Sequence, residues 1–148
     1  IQPACRVYND ANIDPTPATW VALTFNQERF DTDAMHSTVT NTSRLTVPTG
    51  GGGLYMIGAN VRIATGITAN ADSPCGLRLM LNGATCIGET FVVTYRATEY
   101  DLHLQVDALY ALSATDYVEV QVFTEQNVDV VAAGNYSPEF WAIWQRRA

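Results

Sequence analysis

The sequence contains no lysine: its 8 basic residues are all Arg, set against 15 Asp and Glu, for a formal net charge of −7. The isoelectric point is about 4.5. Without a basic footprint the chain cannot displace the counterions of nucleic acid, and it has no attraction for an anionic membrane surface. Charged residues of both signs reach only 16%, against about a quarter in ordinary globular domains. A surface this poor in charge is expected to be covered in part by a partner. The Arg-only basic set suits planar guanidinium contacts at interfaces, but a GC-rich genome is the preferred explanation.

Long apolar runs are also missing. The most apolar stretch, 54–71, is interrupted by Asn60, Arg62 and Asn70, so no membrane insertion is expected. No leader pattern is present and the chain does not open with Met, so it is expected to be processed or cut from a longer protein, with room for an upstream stalk. The 3 cysteines, Cys5, Cys75 and Cys86, are odd in number and form no CxxC pair, which argues against a closed disulfide framework or a zinc site. A Gly-x-Ser-x-Gly elbow is absent and the two histidines, His36 and His103, lie far apart. Nothing therefore points to a Ser-His-Asp site, and the protein is read as not an enzyme.

What is present is strand signal. With 148 residues and 47% hydrophobic content, the chain is one ordinary domain with a sizeable core. Thr, Val, Ile, Tyr, Phe and Trp recur in short alternating runs separated by Gly, Pro, Asn and Asp. Strands are expected at 4–9, 20–26, 44–47, 54–65, 76–81, 84–93, 101–113, 116–125 and 139–146, while 27–35 has poor apolar spacing and is expected to be a loop. This is an all-β, two-sheet antiparallel sandwich. Residues 1–19 form an N-terminal arm with the first strand, extended by Pro15 and Pro17, and 20–148 the body of a single domain. Asn82-Gly83 suits a two-residue type I′ turn, pairing Leu81 with Ala84, Leu79 with Cys86 and Cys75 with Thr90. That register leaves Cys75 about 13 Å along the strand from the partner of Cys86, too far for a disulfide, and places Cys86 in the core. Tyr55, Ile57, Ala59, Val61 and Ile63 form one inward set; Leu102, Leu104, Val106, Ala108, Tyr110 and Leu112 a second; Val118, Val120 and Val122 a third.

The last strand breaks the alternation. Phe140, Ala142 and Trp144 lie on one face and Trp141 and Ile143 on the other, so both faces are apolar. The strand from Leu54 repeats this, with Leu54, Met56 and Gly58 outward. Only one face of a sandwich strand meets the core, so the other must be covered. Four polar or small residues after Trp144 cannot cover it, and a subunit interface holding Tyr55, Met56, Trp141 and Ile143 is expected.

These residues resemble the C1q/tumour-necrosis-factor-like jelly roll, in its C1q globular-head branch, from about Trp20 to Gln145. The resemblance rests on Phe25 and Phe30, Leu45-Thr46-Val47-Pro48, Gly53-Leu54-Tyr55, Asp116-Tyr117-Val118-Glu119-Val120 and the closing Phe-rich strand at 137–143. Phe30-Asp31-Thr32-Asp33 with His36 is similar to bacterial and phage members. Departures are Ala114-Thr115 where the family has Gly before the Asp, Ala142 in place of a Gly, and the longer loop of Gly50 to Gly53. These 148 residues contain no collagen Gly-x-y repeat. The resemblance implies about ten strands, a tight homotrimer and ligand binding by surface loops, with no required cofactor. Calcium, which some members hold near the trimer apex, is the one metal it leaves open.

Candidate binding residues are the loop group Tyr95, Arg96, Tyr100 and Tyr136, since exposed Tyr and Arg are favoured in contacts. Asp31 and Asp33, beside His36, are candidate cation ligands, although Asp side chains also cap loops. His103 has outward parity and reads as a surface or interface residue. Two functions follow. One is a trimeric recognition or adhesion module, the tip of a phage or bacterial surface fibre binding a glycan or protein by avidity. The other is a structural virion decoration or capsid-stabilising trimer on a lattice protein, whose residues 1–19 would reach onto a neighbour. Either role places the chain outside the cell or on a virion surface.

Overall fold

The computed structural model describes residues 2–64, 72–94 and 101–148, and Tyr95 along its backbone. Its ten strands are β1 (Ala4–Tyr8), β2 (Trp20–Ala22), β3 (Gln27–Asp31), β4 (Arg44–Thr46), β5 (Gly53–Ile63), β6 (Asp72–Leu81), β7 (Thr85–Tyr95), β8 (Leu102–Leu112), β9 (Tyr117–Thr124) and β10 (Glu139–Arg146). Among the described residues there is no helix, and so none long and apolar enough to cross a membrane.

Two antiparallel sheets face each other in a jelly roll. The first runs β3-β1-β10-β5-β8; the second runs β2-β9-β6-β7, with β4 also pairing β9. Strict alternation explains the layering: β9 reads half-buried and buried in turn along its length, because the period of a strand is two. Tyr55, Ile57, Ala59, Val61, Leu104, Val106, Phe140 and Ala142 enter the core from the first sheet. Leu77, Leu79, Val118, Val120 and Val122 meet them from the second. The rings of Phe25 and Phe140 touch at 5.6 Å between centroids. Each Val, Leu, Ile or Phe among them contributes roughly 1.5–3 kcal/mol by leaving water, which is what holds the sheets together.

Three local readings are corrected. Residues 27–31 are not loop but the edge strand β3, antiparallel to β1. An edge strand beyond the core needs no apolar alternation, so its sequence carries none. Asn82 and Gly83 do adopt positive φ, 53° and 70°, and the Ala84 amide donates to the Leu81 carbonyl at 3.0 Å. Beyond the turn, however, Leu81 pairs with Thr85 and Met80 with Cys86, a slip of one residue at Ala84, and a bulge at Leu79/Met80 then sets Leu79 opposite Gly88. A one-residue slip turns a side chain to the other face, so Cys86 is exposed and not in the core. Cys75, opposite Val92, is buried, and all three cysteines are free.

Parts of residues 2–19 pair with the rest of the fold. β1 lies between β10 and β3, with Cys5 and Val7 inside. Ile13 exchanges amide hydrogen bonds with Val130, and the Ala18 amide donates to the Thr124 carbonyl at 2.7 Å.

Candidate functional site: two outward sheet faces

The outward face of the first sheet is built from rows that the register brings side by side. Ala4, Ile143, Met56 and Leu109 form one row across β1, β10, β5 and β8. Leu109 is 56% exposed, and Met56 and Ile143 are exposed with it. The next row is Phe30, Arg6, Trp141, Gly58 and Asp107. Trp141 lies flat over Gly58, where a Cβ would collide with its ring. A glycine is required there because the tryptophan packs down on the strand beside it.

Beyond this apolar band sits an ion triad. Glu139 is 1% exposed although it points outward, because two guanidinium groups close over it. Arg6 Nε donates to Oε2 at 2.9 Å, and Arg29 donates to Oε1 at 2.7 Å through Nη2 and 3.0 Å through Nε. Arg6 also donates to the Asn135 carbonyl at 2.9 Å. Arg29 lies 3.7 Å from the Tyr8 ring centroid and Arg6 5.8 Å from that of Trp141. The triad of Arg6, Arg29 and Glu139 carries a formal charge of +1.

Two depressions flank the same face. A groove of about 190 Å3 is lined by Arg6, Phe30, Asn60, Trp141 and Ile143. A cleft of about 300 Å3 is lined by Asn60, Val61, His103, Leu104, Gln105 and Tyr136, with the His103 and Tyr136 rings stacked at 5.9 Å. Asn60 belongs to both, and its buried Oδ1 has no hydrogen-bond partner among the described residues. A buried acceptor left alone is costly, and a donor from outside the chain would satisfy it. Arg62 beside the cleft is bound by Asp101, and the hydrogen bonds of Asp101 and Tyr136 raise its pKa further.

Of the expected interface residues, Met56, Trp141 and Ile143 share this outward face. Tyr55 does not. It is wholly buried in the core, with its hydroxyl donating to the Gly51 carbonyl at 2.7 Å, because it has the inward parity of Ile57. Among the loop residues expected to bind ligand, Tyr136 sits in the cleft; Arg96, Tyr100 and the Tyr95 side chain lie outside the described residues.

Asp31 and Asp33 have different duties. Asp31 accepts the amides of Met35 and His36, each at 2.9 Å, one on each oxygen. Asp33 accepts the Thr32 hydroxyl at 2.7 Å. Asp31 is thus a loop cap whose lone pairs are already directed at backbone. Among the described residues no group of three or more His, Cys, Asp or Glu is gathered as for a metal ion. The His36 ring is buried, with Nδ1 3.0 Å from Glu28 and Nε2 3.0 Å from the Thr42 carbonyl. Cys5 lies beneath the same loop, where burial first, and then Asp31 and Glu28, push its thiol pKa far up.

Solved structures share this architecture over nearly the whole chain. The globular domain of zebrafish complement 1qA protein matches with a TM-score of 0.66 at 16% identity, covering 99% of both chains. Murine APRIL matches with a TM-score of 0.66 at 7% identity, covering 98% of this chain and 100% of its own. The fold is the C1q/tumour-necrosis-factor jelly roll. At these identities the likeness concerns the fold alone. No family model and no curated protein matches the sequence.

Proposed function

We propose that the chain is a non-enzymatic recognition module that works as a homotrimer, its first sheet turned toward its copies. The observation that carries this reading is the exposed row of Ile143, Met56 and Leu109 beside Trp141 and Phe30. An apolar band running across four strands of one sheet is what a subunit interface leaves on the isolated chain. The unpartnered Oδ1 of Asn60 in the same face supports it, since a neighbouring copy can supply the missing donor. The fold shared with C1q and APRIL supports it as well, because jelly rolls of that type carry the expectation of a homotrimer.

The module acts outside the cell or on a virion surface, as the tip of a phage or bacterial surface fibre that binds a glycan or protein. Three copies of a weak site gain avidity without new contacts. Virion decoration or capsid stabilisation is the lesser reading, because the segment that would reach a lattice protein is held within its own fold by β1 and by Ile13. The test is retention on a surface densely printed with glycans and cell-surface proteins, for the native chain beside the Leu109→Glu/Ile143→Arg double variant. Retention that falls by about a hundredfold in the variant is expected from lost avidity. Equal retention of the two, or retention of neither, contradicts the reading.

A further inference from the structure

The outward face of the second sheet carries a different apolar surface. Register places Trp20 of β2, Phe123 of β9, Gly76 of β6 and Phe91 of β7 in a single row. The three rings touch one another, with centroids 5.6–6.2 Å apart. They meet over Gly76, where a Cβ would stand 2.6 Å from Phe91 and 2.7 Å from Trp20. Phe91 is 46% exposed and Val93, in the next row beside Pro74, is 61% exposed. On the other side the bordering row is polar: Gln121, Arg78 and Glu89.

Arg78 is the distinctive member of that border. Its guanidinium lies 4.2 Å from the Trp20 ring centroid, and its Nε donates to Gln121 at 2.8 Å. Arg6, Arg29, Arg44 and Arg62 all have carboxylates within 4.0 Å. Arg78 has none among the described residues, and its two terminal nitrogens carry no hydrogen bond there. An arginine fixed by stacking, with its fork left open, is arranged to receive a carboxylate.

We propose that this face is a saccharide site, taking a short oligosaccharide that bears a single carboxylate. The row spans four strands, about 14 Å at the usual strand spacing. That is the length of two or three pyranose rings. Apolar C–H faces of the sugar lie on Phe91, Trp20 and Val93, its carboxylate meets the Arg78 fork, and Gln121 and Glu89 take ring hydroxyls. A net charge of −7 repels long polyanions but not one carboxylate delivered to a cation that has no salt bridge among the described residues. The inference deepens the recognition reading by naming a ligand class, yet the site is complete within one chain. It can therefore fail while the trimer stands.

The test is isothermal calorimetry of the native protein with 3′-sialyllactose, a glucuronate-capped trisaccharide, and neutral lactose. Saturable binding of at least one acidic sugar, about tenfold tighter than lactose, is expected. Arg78→Gln should bring the acidic sugar down to the lactose level, and Phe91→Ser should abolish both, with the oligomeric mass unchanged. Absence of saturable binding, equal binding of acidic and neutral sugars, or binding that survives Phe91→Ser would overturn the proposal. So would a folded Phe91→Ser variant of altered mass, because the face would then belong to a contact between copies. If Phe91→Ser loses its fold by circular dichroism, Phe91→Leu, which keeps the bulk and removes the ring, carries the same reading.

Discussion

The two sheets present their outward faces in opposite styles. On the first, aliphatic side chains stand in a row from four strands, open and unbraced, and a buried carboxylate ties two arginines at one side. On the second, three aromatic rings brace one another over a glycine, and one arginine has no salt bridge among the described residues. Broad aliphatic surface gains most when another apolar surface removes it from water. A narrow aromatic row with a polar border gains from a small ligand that keeps its own rim wet. The difference teaches that exposure alone does not name a partner: width, bracing and the charges at the border do.

The largest expected effect breaks the first face and leaves the second intact. Leu109→Glu with Ile143→Arg should convert an assembled protein to monomer in sedimentation velocity, whereas Val93→Ser on the second face should leave the sedimentation coefficient unchanged. A shift in both, or in neither, would erase the distinction between the faces.

A smaller effect concerns the ion triad. Glu139→Gln should cost on the order of 2 kcal/mol in urea unfolding, less than a fully buried pair because both arginines reach solvent. A loss under about 0.5 kcal/mol would mean that the triad is a surface ornament. The two glycine floors sharpen the comparison further. Gly58→Ala should displace Trp141 and Gly76→Ala should displace Trp20 and Phe91, each costing about 1–3 kcal/mol by overpacking. Only Gly58→Ala should alter assembly, as measured by light scattering of the folded variants.

The smallest effect is alkaline. Burial, with Asp33 adding, pushes the Tyr55 hydroxyl from 10.0 up to about 12. Its folded pKa lies above the unfolded one, so its contribution to stability is complete below pH 10 and is lost as pH rises toward 12. The raised Cys5 thiol acts in the same direction from pH 9 upward. Tyr55→Phe should flatten part of the decline in urea stability between pH 9.5 and 11.5, a window bracketing the ordinary tyrosine pKa of about 10. An unchanged slope would contradict the assignment.

How much of this the sequence made legible follows from where each signal lives. The first face was visible because Trp141, Ile143 and Met56 violate alternation within single strands, and such a violation needs no knowledge of neighbours. The second face was not, because Trp20, Phe123 and Phe91 come from three strands, each unremarkable on its own, and become one row only through register. The place of Cys86 is hidden for the same reason: Asn82-Gly83 fixes the turn, but the extra residue Ala84 before the Leu81–Thr85 pair leaves no mark in the sequence. Strand β3 was missed because an edge strand answers to hydrogen bonding and not to the core. Asp31 carries a carboxylate pattern that suits either a cation or a loop cap, and its hydrogen bonds from the backbone amides of Met35 and His36 come from loop geometry that no pattern displays.

The most direct test of the central claim is the mass of the native chain by multi-angle light scattering at micromolar concentration. The account predicts three times the 16.2 kDa of one chain. A stable monomer of 16.2 kDa would contradict it, leaving the row of Ile143, Met56 and Leu109 without the partner that its exposure requires.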